Sequence, residues 1–415
     1  MNPRRRWIVG AGALLFAIGC SAPPRMDAVP PEFQNAAAAL GEPAIRTWDI
    51  ELNEPFKQEL IRAAARARAL FDSEPGPTPT AYYLALSGGG SDGAFGAGLL
   101  CGWTVEGSRP EFAVVTGVST GALIAPFAFL GPHHDDKLRQ VYTTVSTRQI
   151  ATQRFILAGL TSDAIMNSAP LRRLLEEIVD EAMMHEIAEQ YERGRVLAVA
   201  TTNFDADRAV IWNIGAIAAS EHPDALRLIH DVLMASAAIP AAFPPVMIRV
   251  EADGRAFEEM HLDGGTKSQV FVYPPSLELR AKSEARGFER RRVAFVIRNA
   301  RLDPEWANVP RRTIPIARRA ISSLIHANGV GDLFRIYLTT LRDNVEFNLA
   351  YIPGTFTATR NEEFDPVYMA QLFDVGFQMG SAPGGYPWAP SPPGWAEADA
   401  ARTIESPPPV DPQTR

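Results

Sequence analysis

The sequence predicts an α/β fold: a central, mostly parallel sheet covered by helices. Three observations lead there. From Tyr82 onward, apolar strand-like runs alternate with helix-compatible runs, the rhythm of strands feeding crossover helices. Two glycine-rich turns fall where a strand gives way to a helix. The composition, 46% hydrophobic and 21% charged over 415 residues, supplies a core large enough for one domain spanning about 80–380.

The first residues stand outside that fold. Residues 1–20, MNPRRRWIVGAGALLFAIGC, open on Arg4, Arg5 and Arg6, continue in an apolar run from Trp7 to Ile18 and end in small residues. This is the pattern of a secretory signal, too short to span a bilayer. AIGC at 17–20 resembles the lipobox of bacterial lipoproteins, although Ala17 stands where that motif has a larger aliphatic residue. The resemblance implies lipidation of Cys20 and export to the periplasmic side of a bacterial membrane. Ser21 behind it implies the outer membrane, so the expected partners include a membrane reached through an N-terminal lipid anchor. Cys20 and Cys101 are the only cysteines, so no disulfide framework is expected. Cys101, inside AGLLCGW, reads as a small buried hydrophobe.

Residues 21–79 read as a Pro- and Ala-rich tether followed by a helix over 54–72, which SEPGPTPT (73–80) breaks. YYLALS (82–87) is a strand and AFGAGLLCGW (94–103) a helix; FAVVTGVS (112–119) and TGALIAPFAFL (120–130) repeat the unit. Ser168 caps one helix running from Ala169 to about Glu192, with Pro170 in its first turn. Residues 195–214 form two strands around an Asp205-Ala206-Asp207 turn. A helix covers 224–240 and stops at Pro240, and a strand covers 291–300. A helix follows over 311–341, VEFNLAYIP is a strand, and a closing helix covers 366–380. Residues 381–415 are a Pro-rich tail expected to be disordered.

A net charge of −8 argues against nucleic acid as partner. The basic clusters, Arg290 to Arg292 and Arg311/Arg312 with Arg318/Arg319, read as solvated faces. His133 and His134 sit in a polar loop with nothing in the local sequence to complete a metal site.

A serine hydroxyl becomes a nucleophile when it is exposed, has a base beside it and faces donors that receive charge from the attacked carbonyl. Gly117-Val118-Ser119-Thr120-Gly121 puts Ser119 on a strand-to-helix turn whose glycines tolerate a sharp bend and lift it out of the sheet. One unit upstream, SGGGSDGAFGAG (87–98) presents backbone amides of Gly88, Gly89 and Gly90 as a candidate oxyanion hole. Gly88, Gly90 and Gly93 also fit a dinucleotide-binding loop, but no acidic residue ends a strand about 20 residues on, Glu106 and Glu111 falling in a polar loop. Asp263, in a short polar loop before Gly264 and Gly265, is a candidate base whose pKa partial desolvation would raise.

In this order the three motifs resemble the patatin-like phospholipase family. The ASAAIPAAFPP run (235–245) resembles the family's segment between nucleophile and aspartate. The motif-bearing part is about 82–275. The resemblance implies a three-layer α/β/α patatin-like fold and a lipid or phospholipid substrate. It implies Ser119 as nucleophile and Asp263 as general base of a Ser–Asp dyad, with no cofactor and no metal. Asp92 departs from the pattern, standing where the family carries Arg or Lys, which puts a preference for anionic phospholipids in doubt. Two other readings remain: an α/β-hydrolase with a Ser119–Asp263–His326 triad, and a lipoprotein that binds lipid or a partner without catalysis. Transfer of the acyl group to an acceptor other than water shares the same acyl-enzyme.

Overall fold

The computed structural model describes residues 24–395, apart from 73–77, 151, 154–163, 165, 286, 288–289 and 305. The expected signal segment with Cys20 and the last part of the tail, 396–415, lie outside the described residues.

A short strand β1 (Arg46–Trp48) and helix α1 (Glu54–Asp72) precede the repeating unit. β2 (Ala81–Leu86), α2 (Gly93–Glu106), β3 (Val114–Val118) and α3 (Thr120–Leu130) then follow in the expected alternation. Next come α4 (Asp135–Thr144), the short α5 (Thr147–Ile150) and a small pair, β4 (Thr152–Gln153) with β5 (Met166–Asn167). The helix expected over 169–192 is two, α6 (Ala169–Ile178) and α7 (Glu181–Glu192), because Asp180 turns extended and caps the Met183 amide at 2.9 Å. β6 (Val196–Asn203) and β7 (Arg208–Asn213) form the expected hairpin, followed by α8 (Ile214–Ala218) and α9 (Ala225–Ser236). A second hairpin, β8 (Val246–Ala252) with β9 (Arg255–Asp263), was not expected. The chain ends with α10 (Leu279–Ala285), β10 (Arg292–Arg298), α11 (Thr313–Arg342), β11 (Glu346–Tyr351) and α12 (Pro366–Gly380).

Nine strands form one sheet in the order β1-β7-β6-β3-β2-β10-β11, with β9 on β6 and β8 on β9. β6, β3, β2, β10 and β11 are mutually parallel, and β7, β1, β9 and β8 add antiparallel pairs. Alternate side chains serve opposite faces, as the pleat requires. Leu84, Leu86, Val293, Phe295 and Ile297 join the main core with α2 and α12, while Ala85, Ala294 and Val296 meet Leu333, Ile336 and Tyr337 of α11 on the other side. Phe56 and Ala63 of α1 cover Val196, Ala198 and Ile211 on that second side. The result is three layers, α/β/α.

Two expectations at the chain ends fail. The supposed tether is folded onto the body: Val29, Ala37, Ala39 and Ile45 are core residues, and β1 pairs with β7. Arg46 forms a bidentate, buried ion pair with Glu259 of β9, which also holds His261 at 3.1 Å. Its Pro/Ala composition hides this, because burial here depends on tertiary partners rather than local hydrophobicity. The described part of the tail also packs, with Ala389 bridging Leu349, Trp388 against Trp103 and Phe295, and Trp395 against Tyr337.

Candidate active site

The register of the sheet brings the two candidate catalytic residues together. β3 pairs with the first half of β6, ending at Val118 opposite Ala200. β9 pairs with the second half of β6, with Asp263 opposite Thr201. The two strands therefore meet end to end along one side of β6, and Ser119 and Asp263 occupy the junction. Ser119 Oγ donates to Asp263 Oδ2 at 2.7 Å.

Asp263 differs from expectation in its setting: it closes β9 rather than sitting in a polar loop. Its amide donates to the Ala238 carbonyl at 2.9 Å and its carbonyl accepts from Thr202 Oγ1 at 3.0 Å. Oδ1 accepts from the Gly265 amide at 2.7 Å, so the carboxyl is held from both ends. Burial pushes its pKa up from 3.8 to about 6, against the hydrogen bonds from Ser119 and Gly265, which favour the charged form.

Ser119 itself carries the bend, at φ 55° and ψ −126°, a left-handed-side conformation costly for a residue with a Cβ. Gly117 and Gly121 do not take positive φ; they are required by close approach. A Cβ on Gly121 would collide with the Leu86 carbonyl, and one on Gly117 with the backbone of Gly121 and Ala122. The same holds for Gly264 against the Ala200 carbonyl, Gly265 against the Gln269 amide and Gly93 against Thr120. Nor does the turn push Ser119 into open water: the residue is 7% exposed, enclosed by the glycine loop and the β9 end.

Of the three glycine amides expected to bind an oxyanion, Gly88 is engaged, donating to the Gln269 carbonyl at 3.0 Å. Gly89 and Gly90 donate to no acceptor among the described residues. Gly90 has φ +58°, which turns the loop at that point. The candidate oxyanion pair is thus Gly89 and Gly90.

Three side chains that the sequence did not single out set this geometry. Ser236, at the end of α9, accepts the Ser119 amide at 3.0 Å and donates to the Ala200 carbonyl at 2.8 Å. Asn299, just past β10, donates from Nδ2 to the Ser87 carbonyl at 2.8 Å and accepts the Gly96 amide at 3.0 Å. Its own carbonyl lies where a Cβ on Gly89 would go. Gln269 donates to the Gly265 carbonyl at 2.8 Å, tying the aspartate loop to the glycine loop. The ASAAIP run contains Ser236; nothing local marked Asn299 or Gln269.

His326 lies in α11, and among the described residues it makes no hydrogen bond to Ser119 or Asp263. Ser119 Oγ bonds Asp263 Oδ2 directly, which leaves a third triad member no place between them. Asp92 is not an isolated negative charge: Tyr368 donates to it at 2.8 Å, and Arg360, bound to Ser91 Oγ at 2.8 Å, is 3.5 Å from its Oδ1. A cation does reach this loop, from a distant part of the chain. The reading of His133 and His134 needs correction, since Glu186 Oε2 lies 2.9 Å and 3.0 Å from their Nε2 atoms, making a group with metal-ligating chemistry on the surface. Cys101 is buried, its thiol pushed up to about 12 by desolvation, and so unreactive.

Residues 84–274 match the family model described as patatin-like phospholipase, which supports a lipid acyl hydrolase function in general terms. No curated protein matches the chain. Among solved structures, the crystal structure of VipD from Legionella pneumophila aligns with TM-score 0.36 and 12% identity, over 72% of this chain and 67% of that one.

Proposed function

We propose that the patatin-like phospholipase domain of this protein is a serine lipid acyl hydrolase working through a Ser119–Asp263 dyad. Asp263, poised as a base by its burial, takes the Ser119 proton as Oγ attacks the ester carbonyl. The carbonyl oxygen gains negative charge and turns toward the amides of Gly89 and Gly90. As the intermediate collapses, the protonated Asp263 returns its proton to the departing alcohol oxygen, leaving the acyl group on Ser119. A water then gives a proton to Asp263 and attacks the acyl carbon; as this second intermediate collapses, Asp263 returns the proton to Ser119 Oγ, and the fatty acid leaves. No metal or cofactor enters the scheme. The reading is carried by the 2.7 Å hydrogen bond between the two side chains beside two uncommitted amides.

The test is hydrolysis of a panel of phospholipids and neutral esters by the wild type, with Ser119→Ala as blank. Fatty acid release by the wild type alone supports the proposal. Absence of release from every ester, by a folded wild type that still binds lipid, would favour an inert binder. Acyl transfer to a second lipid without free fatty acid would replace water by another acceptor.

The same proposal keeps the chain on the periplasmic side of a bacterial membrane, anchored through Cys20. Its support is the sequence of residues 1–21. Metabolic labelling with a radioactive fatty acid, present in the wild type and absent from Cys20→Ala, is the expected result; equal labelling of both would overturn it.

A further inference from the structure

Helix α11 is 30 residues long, about 45 Å at 1.5 Å per residue, and only its second half is used by the core. Leu333, Ile336 and Tyr337 pack on the sheet, and Asn328 and Asp332 tie it to the loop after Asp263 through the Lys267 carbonyl and the Gln269 amide. None of the described side chains from Arg311 to Asn328 is buried. Yet this half is not polar. At about 100° per residue, Ile316, Ala317, Ala320, Ile321, Leu324 and Ile325 fall on one half of the helix circumference, and Arg319, Ser322, Ser323 and His326 on the other. Leu324 is 70% exposed, and Trp306, in the segment leading into the helix, is 88% exposed. Such a continuous apolar face marks an interaction surface.

Topology fixes where it points. α11 joins the parallel neighbours β10 and β11, so it runs opposite to them and its N-terminal half lies beyond their carboxyl ends. The carboxyl ends of β2 and β3, parallel to β10, carry the glycine loop and Ser119. The overhanging half of α11 is therefore at the active-site end of the molecule. Charge names the partner. From Trp306 to Gly331 there is no Asp or Glu, while Arg311, Arg312, Arg318 and Arg319 are present, in a chain of net charge −8. A basic amphipathic helix with an exposed tryptophan at its start matches the surface of an anionic bilayer, where apolar side chains enter the acyl boundary and arginines meet headgroups.

We infer that the N-terminal half of α11, with Trp306, is an interfacial docking element that seats the protein on an anionic lipid surface with the Ser119 end facing the bilayer. This rests on the lipid-hydrolase reading for its purpose, but not for its measurement.

The test uses the full chain carrying Cys20→Ser, which removes any lipid anchor and leaves buried Cys101 as the only native thiol. A solvatochromic dye is attached through Leu324→Cys or, in a second protein, Ser323→Cys. On vesicles of phosphatidylglycerol and phosphatidylcholine, the dye at 324 is expected to shift to the blue and brighten severalfold, and the dye at 323 to respond much less. Both should behave alike with Ser119→Ala present, so a failed catalytic reading leaves this result standing. In addition, Leu324→Asp with Ile325→Asp should lower vesicle hydrolysis roughly tenfold while changing turnover of a soluble short-chain ester less than about twofold. A dye at 324 that stays in water on these vesicles overturns the inference. Equal insertion into pure phosphatidylcholine overturns its anionic component, and a blue shift without vesicles that grows with protein concentration would assign the face to a second copy of the chain.

Discussion

Replacing Asp263 by Asn separates catalysis from stability in a way that the geometry makes quantitative. The substitution keeps the shape of the side chain, one oxygen to face Gly265 or Ser119, and the backbone bonds to Ala238 and Thr202. It removes the proposed base and the buried charge. In the folded wild type the carboxyl titrates at about 6, against 3.8 for the ordinary group, because burial opposes ionisation. Between pH 4 and pH 6 the folded state therefore holds a proton that the unfolded state has released, and stability falls as pH rises through this window. The difference of about two pH units corresponds to about 3 kcal/mol, fully developed above pH 6. Urea unfolding of both proteins at pH 4 and pH 8 is the assay. Asp263→Asn should gain on the wild type by about 3 kcal/mol between those two pH values, while losing at least about a hundredfold in ester turnover. Wild-type turnover should itself fall as pH drops through about 6, as the base protonates. A variant that keeps more than about a tenth of the activity, or an acid limb near pH 4, would refute the reasoning.

Other substitutions probe the supports of the site. Asn299→Ala removes two buried hydrogen bonds and leaves the Ser87 carbonyl without its side-chain partner, so chemical denaturation should show a loss of about 1–3 kcal/mol and turnover should fall with it. Ser119→Gly should abolish turnover yet raise the unfolding free energy by about 1 kcal/mol, because glycine accepts the positive φ that serine is forced to adopt. His326→Ala should leave kcat/KM for a soluble ester within about threefold of the wild type; a loss above a hundredfold would restore the triad.

The sequence carried candidates for the nucleophile and the base, Ser119 and Asp263, because each stands beside glycines at the end of a strand, and the βα rhythm from Tyr82 to Leu130 is a local pattern. It did not carry the reason for the glycines. Gly117 and Gly121 are there to let chain segments pass, and the strained φ belongs to Ser119, a distinction that only packing reveals. Nor could it show that Gly88 spends its amide on Gln269, since that bond links residues far apart in the chain. The β8–β9 hairpin was invisible for another reason. Alternating Arg, Glu and aliphatic residues on an edge pair read as loop until β9 is seen filling the place beside β6 that β3 vacates. The N-terminal segment was misjudged on composition. Arg46 anchors Glu259, four residues before Asp263, so a stretch read as a tether helps to hold the strand that carries Asp263.

The most direct measurement is peptide mass spectrometry of the wild type after exposure to a fluorophosphonate lipid analogue. A single phosphonylated peptide containing Ser119, absent from Ser119→Ala and slowed at least about a hundredfold in Asp263→Asn, is the expected result. An adduct on any other residue, or labelling of Ser119 at an unchanged rate when Asp263 is replaced, would contradict a serine whose proton passes to that buried carboxylate.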